Sequence, residues 1–254
     1  GLQATDFEVI EGGKPQDIKF FAEGDPEDAP PLHLGFLLDA SGSMEEDLSN
    51  VRTSAIKFLK QMEKAVDITL VDFDTEVRVA RFRYEDYPRL IERIRMRKPG
   101  GMTALYDALG TYLGGAAEQM GQKILIMYTD GGDTRSAMSR NEVLTVVRAS
   151  DVTVFVVGYL EHQTQSASIE QRQVLTQFAE MTGGQAFFPH SLKEVDKVYD
   201  KIHKEIAARY SFGYTSADQR ADGSWRKVEI RLKRPDLKGA KLRTREGYFA
   251  AYRQ

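Results

Sequence analysis

The chain has 254 residues, 41% of them hydrophobic, with 38 Asp and Glu against 35 Lys and Arg for a net charge of −3. That length buries one full core and a smaller second one, and the near balance of charge gives no case for nucleic acid as a partner. With no cysteine, disulfides, thiolate metal sites and cysteine nucleophiles are excluded.

No apolar run approaches the roughly 20 residues that cross a bilayer, so no membrane span is expected. The segment after Gly1 has no basic start followed by an apolar stretch, so no targeting signal is expected in it either. Charge is uneven along the chain. Residues 220–254 carry 11 Lys and Arg against 4 Asp and Glu, a net of +7, which leaves −10 for residues 1–219. Alternating Lys and Arg on the solvent face of strands accounts for that tail better than a contact with an anionic surface does.

In chain order, Phe7 to Glu11 and Asp17 to Ala22 read as short strands joined by a Gly12-Gly13 turn. The acidic, Pro-rich stretch Glu23 to Pro31 reads as a linker. Leu34 to Leu38 is a continuous apolar run, as in a strand covered on both faces, and it stops at Asp39. From Glu45 the period becomes helical, with Leu48, Val51, Ala55, Phe58, Leu59 and Met62 on one face. Strands follow at Ile68 to Phe73 and Val77 to Phe82. Only Asp74 to Glu76 separates them, too little for a crossover, so they predict an antiparallel edge hairpin.

A helix over Tyr87 to Met96, a break at Gly100-Gly101 and a helix over Ala104 to Ala117 come next. Then follow a strand at Ile124 to Thr129, a helix over Arg140 to Ala149 and a strand at Val152 to Val157. A helix around Gln171 to Met181, a strand at Gln185 to Phe188 and a helix over Leu192 to Arg209 close the series. This alternation predicts an α/β fold: a doubly wound, mostly parallel sheet with an antiparallel edge strand. After Tyr210 the helices cease. Tyr210 to Thr215, Arg226 to Leu232 and Lys241 to Arg245 alternate as strands, with Trp225 and the tyrosines as anchors. The simplest division is a β segment and linker over residues 1–31, an α/β domain over 32–209, and a β segment over 210–254. The last packs with the N-terminal strands as a small sandwich.

In open parallel sheets, ligands sit where the winding reverses, beyond the carboxyl ends of the strands. Three loops qualify: Asp39-Ala40-Ser41-Gly42-Ser43, Gly100-Gly101-Met102-Thr103 and Thr129-Asp130-Gly131-Gly132-Asp133. Two carboxylates, two serines and a threonine form an all-oxygen donor set, which suits a hard cation such as Mg²⁺ or Mn²⁺ rather than zinc or copper. Hydroxyl ligands leave such a metal electron-poor, so an Asp or Glu offered by a partner can complete its shell. Gly42, Gly100, Gly101 and Gly131 are expected to supply the tight turns.

At these residues the chain resembles the von Willebrand factor type A family. Asp39-x-Ser41-x-Ser43, the later Thr103 and Asp130 in a Thr-Asp-Gly context are similar to its five-residue metal-ion-dependent adhesion site, in order and spacing. The resemblance spans roughly residues 32–208. It implies a Rossmann-like domain with Ser41, Ser43 and Thr103 as direct ligands and Asp39 and Asp130 bound directly or through water. It also implies Mg²⁺, Mn²⁺ or Ca²⁺ as the ion, a protein partner offering a carboxylate, and no enzymatic activity. In relatives such as integrins, the last helix shifts when the metal site is filled. Asp6-Phe7-Glu8-Val9, Gly13-Lys14-Pro15-Gln16, Tyr210-x-x-Gly213-Tyr214 and Gly247-Tyr248 are similar to bacterial proteins in which such a domain is embedded in β structure. Those relatives are usually exported to the periplasm, the cell surface or the medium.

Other readings of the same residues stand beside this one. Ser41 and Ser43 fit as caps of the helix that begins near Glu45. Asp107 and Asp133 read as surface acids, Asp72 as a structural residue of open role, and Glu161 to Ala167 as a polar loop on the partner-facing edge. His33, His162, His190 and His203 lack metal-ligand spacing and read as surface or loop residues. A scaffold with an unused site is a second functional reading, and a haloacid dehalogenase-type, Mg²⁺-dependent phosphatase a third. Such phosphatases carry a second Asp where this chain has Ser41.

Overall fold

The computed structural model describes residues 1–24, 30–45 and 47–252. Most of the expected linker therefore lies outside the described residues. Six strands form the central sheet: β4 (Leu32–Asp39), β5 (Ala65–Phe73), β6 (Val77–Arg83), β7 (Gln122–Thr129), β8 (Thr153–Gly158) and β9 (Ala186–Phe187). The helices are α1 (Leu48–Gln61), α2 (Tyr87–Met96), α3 (Leu105–Ala116), α4 (Arg140–Ala149), α5 (Gln165–Met181) and α6 (Leu192–Ala207). The sheet order is β6-β5-β4-β7-β8-β9, parallel throughout except for β6, which runs antiparallel to β5 at one edge.

The apolar run of β4 is continuous because helices cover both its faces. Leu34, Phe36 and Leu38 join Phe58 of α1 and Tyr199 and Ile202 of α6 in one core layer. Leu37 joins Leu109 and Tyr112 of α3 and Phe178 of α5 in the other. Full burial of each such Leu or Phe contributes about 1.5–3 kcal/mol. Gly35 is a packing requirement, since a Cβ there would lie 2.2 Å from the Tyr112 ring. Asp72 is buried inside β5, where it pairs with Arg93 at 2.7 Å and Arg97 at 3.4 Å. Its role is to anchor α2 and the segment after it to the sheet.

The terminal strands are β1 (Phe7–Glu11), β2 (Lys14–Gln16), β3 (Ile18–Glu23), β10 (Tyr210–Tyr214), β11 (Trp225–Leu232) and β12 (Gly247–Phe249). They form a four-stranded sheet, β12-β11-β1-β2, and a β10-β3 pair. Phe7 of the first meets Phe21, Tyr210 and Phe212 of the second, with ring centroids 4.9–5.7 Å apart. Next to this aromatic layer, buried Glu11 accepts hydrogen bonds from Ser216 at 2.5 Å, Tyr248 at 2.7 Å and Tyr214 at 2.8 Å, and pairs with Arg226 at 3.3 Å.

Several expectations need correction. Past the Gly12-Gly13 turn the chain forms two strands: β2 pairs back onto β1, while β3 crosses to pair with β10. Residues 241–245 are not a strand. Only Arg245 makes a bridge, to Thr182, because Trp225 stacks edge-on against Phe249 and sets the partner of β11 at Gly247–Phe249. The helix expected from Gln171 begins at Gln165, where Thr164 caps it by accepting from Ala167 N–H; its first turns are polar and carry no apolar stripe. His33 is buried at the start of β4, with Nδ1 3.0 Å from Asp67 and Nε2 3.0 Å from the Met120 carbonyl. An acid on the neighbouring strand, not in the local sequence, makes that burial tolerable.

Candidate metal centre at the sheet switch point

The winding reverses between β4 and β7, which are neighbours in the sheet. Asp39 ends β4 and Asp130 follows the last residue of β7, so two carboxylates arrive at one edge on adjacent strands. The loop carrying Thr103 is laced to the Asp39 loop: Gly100 N–H donates to the Ala40 carbonyl at 2.9 Å, and Gly42 N–H to the Gly101 carbonyl at 3.0 Å. Among the four glycines expected to shape these turns, only Gly101 is left-handed, at φ +76, and a Cβ there would lie 2.5 Å from Thr75 Oγ1. Gly42 serves by space instead, its absent Cβ being 3.3 Å from the Gly101 carbonyl.

Four of the predicted ligands form one hydrogen-bonded chain. Asp39 Oδ1 accepts from Ser41 N–H at 3.0 Å, Ser41 Oγ lies 3.1 Å from Ser43 Oγ, and Ser43 Oγ donates to Asp130 Oδ1 at 3.0 Å. Neither serine caps α1. The short turn after Ser41 has no side-chain cap, and Asp47 is the residue that precedes the helix. Thr103 is buried on the same edge and is placed by its backbone, whose N–H donates to Thr134 Oγ1 at 2.9 Å. No hydrogen bond joins its hydroxyl to the other four.

Asp39 and Asp130 are both fully buried. Among the described residues neither has a Lys, Arg or His partner. Burial raises the Asp39 pKa. Burial, reinforced by the Asp39 charge, pushes Asp130 up to about 7. Asp130 Oδ2 is buried with no hydrogen-bond partner, a costly state for a lone carboxylate oxygen. Two buried carboxylates with a spare oxygen, lined by hydroxyls, fit a hard divalent cation. Among the described residues no three His, Cys, Asp or Glu side chains cluster as a metal cage, so the donor set depends on its hydroxyls.

Sequence reasoning missed the residues that hold this set in place. Thr129 Oγ1 donates to Asp39 Oδ2 at 2.6 Å, tying the two strand ends together; the available signal was a hydroxyl closing an otherwise apolar strand. Thr129→Val is expected to weaken divalent-metal affinity by about 10–100-fold with little change in fold, as loss of an outer-shell partner does; calorimetric titration of both proteins checks it. Gln163 Nε2 donates to the Asp130 carbonyl at 3.0 Å, and His162 Nε2 lies 2.7 Å from buried Asp47, so the segment after β8 braces the site. Asp107 and Asp133 are half-buried rather than free surface acids. Asp107 accepts from the N–H groups of Ala137 and Met138, and Asp133 from those of Tyr106 and Ser136, which locks the segment after Asp130 onto α3.

The family model for the von Willebrand factor type A domain matches residues 33–201. No curated protein matches. Similar solved structures include the PilB minor pilin from Streptococcus sanguinis, at 15% identity and TM-score 0.59, covering 72% of this chain and 63% of that one. The von Willebrand factor domain of the type V pili tip protein Mfa5 from Porphyromonas gingivalis matches at 15% identity and TM-score 0.59, over 74% of this chain and 99% of that one. Proximal thread matrix protein 1 from the mussel byssus, with a zinc-occupied MIDAS motif, matches at 19% identity and TM-score 0.54, over 74% and 50%. At these identities the likeness shows the fold.

Proposed function

The chain belongs to the von Willebrand factor type A family, and from that premise we propose that residues 32–209 are a divalent-cation-dependent protein-binding module mounted on the terminal β strands. Ser41, Ser43 and Thr103 hold the ion with Asp39 and Asp130, directly or through water, and a partner's Asp or Glu completes the shell. The bound cation supplies positive charge for that carboxylate. Thr129 and the Ser41 N–H hold Asp39 in place, and Ser43 holds Asp130. The observation that carries the reading is the pair of buried, uncompensated carboxylates at adjacent strand ends, one with an unpartnered oxygen. The role is binding rather than catalysis.

Mg²⁺ is the ion proposed, with Mn²⁺ and Ca²⁺ as alternatives. The zinc-occupied motif of the byssus protein keeps zinc among the ions to be tested. A minor pilin and a pili tip protein among the structural neighbours support an exported, surface-associated setting. Among the described residues no helix is long and apolar enough to cross a membrane. The experiment is selection of a random peptide library on immobilised protein in Mg²⁺ with elution by EDTA. Clones eluted by EDTA are expected to be enriched in Asp and Glu over the input; no enrichment contradicts the carboxylate partner.

A further inference from the structure

A cleft of about 620 Å³ opens between α1 and α2, and its charged lining is entirely basic: Arg52, Lys57 and Lys60 from α1 and Arg95 from α2. Lys57 is partly neutralised by Asp196 of α6 at 3.2 Å. Among the described residues no carboxylate forms an ion pair with Arg52, Lys60 or Arg95, and Arg52 Nε is buried without a hydrogen-bond partner. Burial and then the neighbouring Arg97 guanidinium hold the Arg52 pKa below its ordinary value; Arg97 is itself engaged by Asp72 and Asp74. Three of the four basic groups of this cleft are thus without a carboxylate partner among the described residues, on a segment, residues 1–219, that carries a net charge of −10. By contrast, Arg78 is paired with Asp74 and Arg93 of α2 with Asp72. Like charges left facing one another are a standing cost that an anionic occupant removes.

Both helices that line the cleft connect to the metal edge. Ser49 and Arg52 lie in the first turns of α1, which follows the Ser41–Ser43 turn. The C-terminal end of α2 leads through residues 97–99 to Gly100 and Gly101, which are hydrogen-bonded to Ala40 and Gly42. We infer that the α1–α2 cleft docks an acidic segment of the same protein partner whose carboxylate completes the metal shell, so that the partner carries several Asp or Glu residues in one stretch. This rests on the metal-dependent reading above, and the two fail separately in the following test.

Fluorescein-labelled deca-glutamate, with deca-glutamine as control, is titrated at low salt in Mg²⁺ and in EDTA, read by anisotropy. The proteins are wild type, the double variant Lys60→Glu with Arg95→Glu, and Ser43→Ala. Lys60, Arg95 and Ser43 are all exposed, so the fold survives. The double variant is expected to bind deca-glutamate about tenfold or more weakly in both media, and Ser43→Ala to remove only the increment that Mg²⁺ adds. Unchanged binding by the double variant overturns the cleft assignment and leaves the metal reading standing. No effect of EDTA or Ser43→Ala, with the double variant still weakened, overturns the metal reading and leaves the cleft. Equal cleft-dependent binding of a ten-residue oligo-deoxythymidine shows a general polyanion groove and overturns the peptide partner.

Discussion

Asp130→Asn is expected to act in opposite directions on the metal-free and metal-loaded protein. Asp130 is fully buried beside Asp39, its pKa raised first by burial and then by that neighbour's charge. Neutralising it removes a buried charge with no cationic partner, so the metal-free variant is expected to be more stable than wild type by about 1 kcal/mol or more, a few degrees in melting temperature. On the proposed metal reading the same change deletes an anionic ligand. Metal affinity is expected to fall by more than the roughly 10–100-fold that an outer-shell loss costs, and the rise in melting temperature on adding Mg²⁺ is expected to disappear. Thermal melts of both proteins in EDTA and in Mg²⁺ decide the matter. If Asp130 were an ordinary structural carboxylate, the variant would be less stable in both conditions.

The second large effect lies in the terminal strands. Burial alone pushes Glu11 up, yet the hydrogen bonds from Ser216, Tyr248, Tyr214 and Arg226 outweigh it and hold the carboxyl below its ordinary value of 4.5. Arg226 is itself buried, so Glu11→Gln leaves a buried guanidinium with only the longer pairing to Asp218, at 3.5 Å, as counter-charge. The expected cost at pH 7 is about 3 kcal/mol, or about 6–12 °C in melting temperature. The sign of the pH dependence follows from the lowered pKa. The carboxylate's contribution is present above pH 4.5 and is lost as pH falls through the lower folded value. Wild type and variant melting curves should therefore converge below that pH. A constant gap down to pH 3 would mean that the loss is one of packing rather than charge.

Much of the α/β unit was legible because its strands and helices differ in period. Continuous apolar runs at Leu34 to Leu38 and Ile124 to Tyr128 announce strands covered on both faces, and the switch to a 3.6-residue stripe after Glu45 announces α1. The three-residue gap at Asp74 to Glu76 was enough to turn β6 antiparallel, as found. What stayed hidden depends on distant partners. His33 looked like a surface residue because Asp67, which allows its burial, is on another strand. The first turns of α5 looked like a loop because they carry no apolar stripe, Ile169 being exposed, and are fixed by the Thr164 cap. The strand expected at 241–245 slid to Gly247–Phe249 because Trp225 selects Phe249 across the sheet.

At the site the same division holds. Asp39, Ser41, Ser43, Thr103 and Asp130 were legible from their places in strand-end loops. The structure draws Asp39, Ser41, Ser43 and Asp130 into one hydrogen-bonded chain, and ties the loop that carries Thr103 to the Asp39 loop through Gly100 and Gly101. Thr129, Gln163 and the Asp47–His162 pair were not legible, since each acts through contacts across at least 30 positions of sequence. Such braces carry no local pattern.

Calorimetric titration of Mg²⁺ into metal-free protein, beside Ser43→Ala, decides whether the hydroxyls and carboxylates of this edge hold one divalent cation. Ser43 is exposed, and a melting curve of the variant in EDTA checks that it is folded, so that its heats report the site. Saturable one-site binding in wild type that is lost or sharply weakened in Ser43→Ala is the predicted result. Absence of saturable binding in wild type, or identical binding in both proteins, would contradict it.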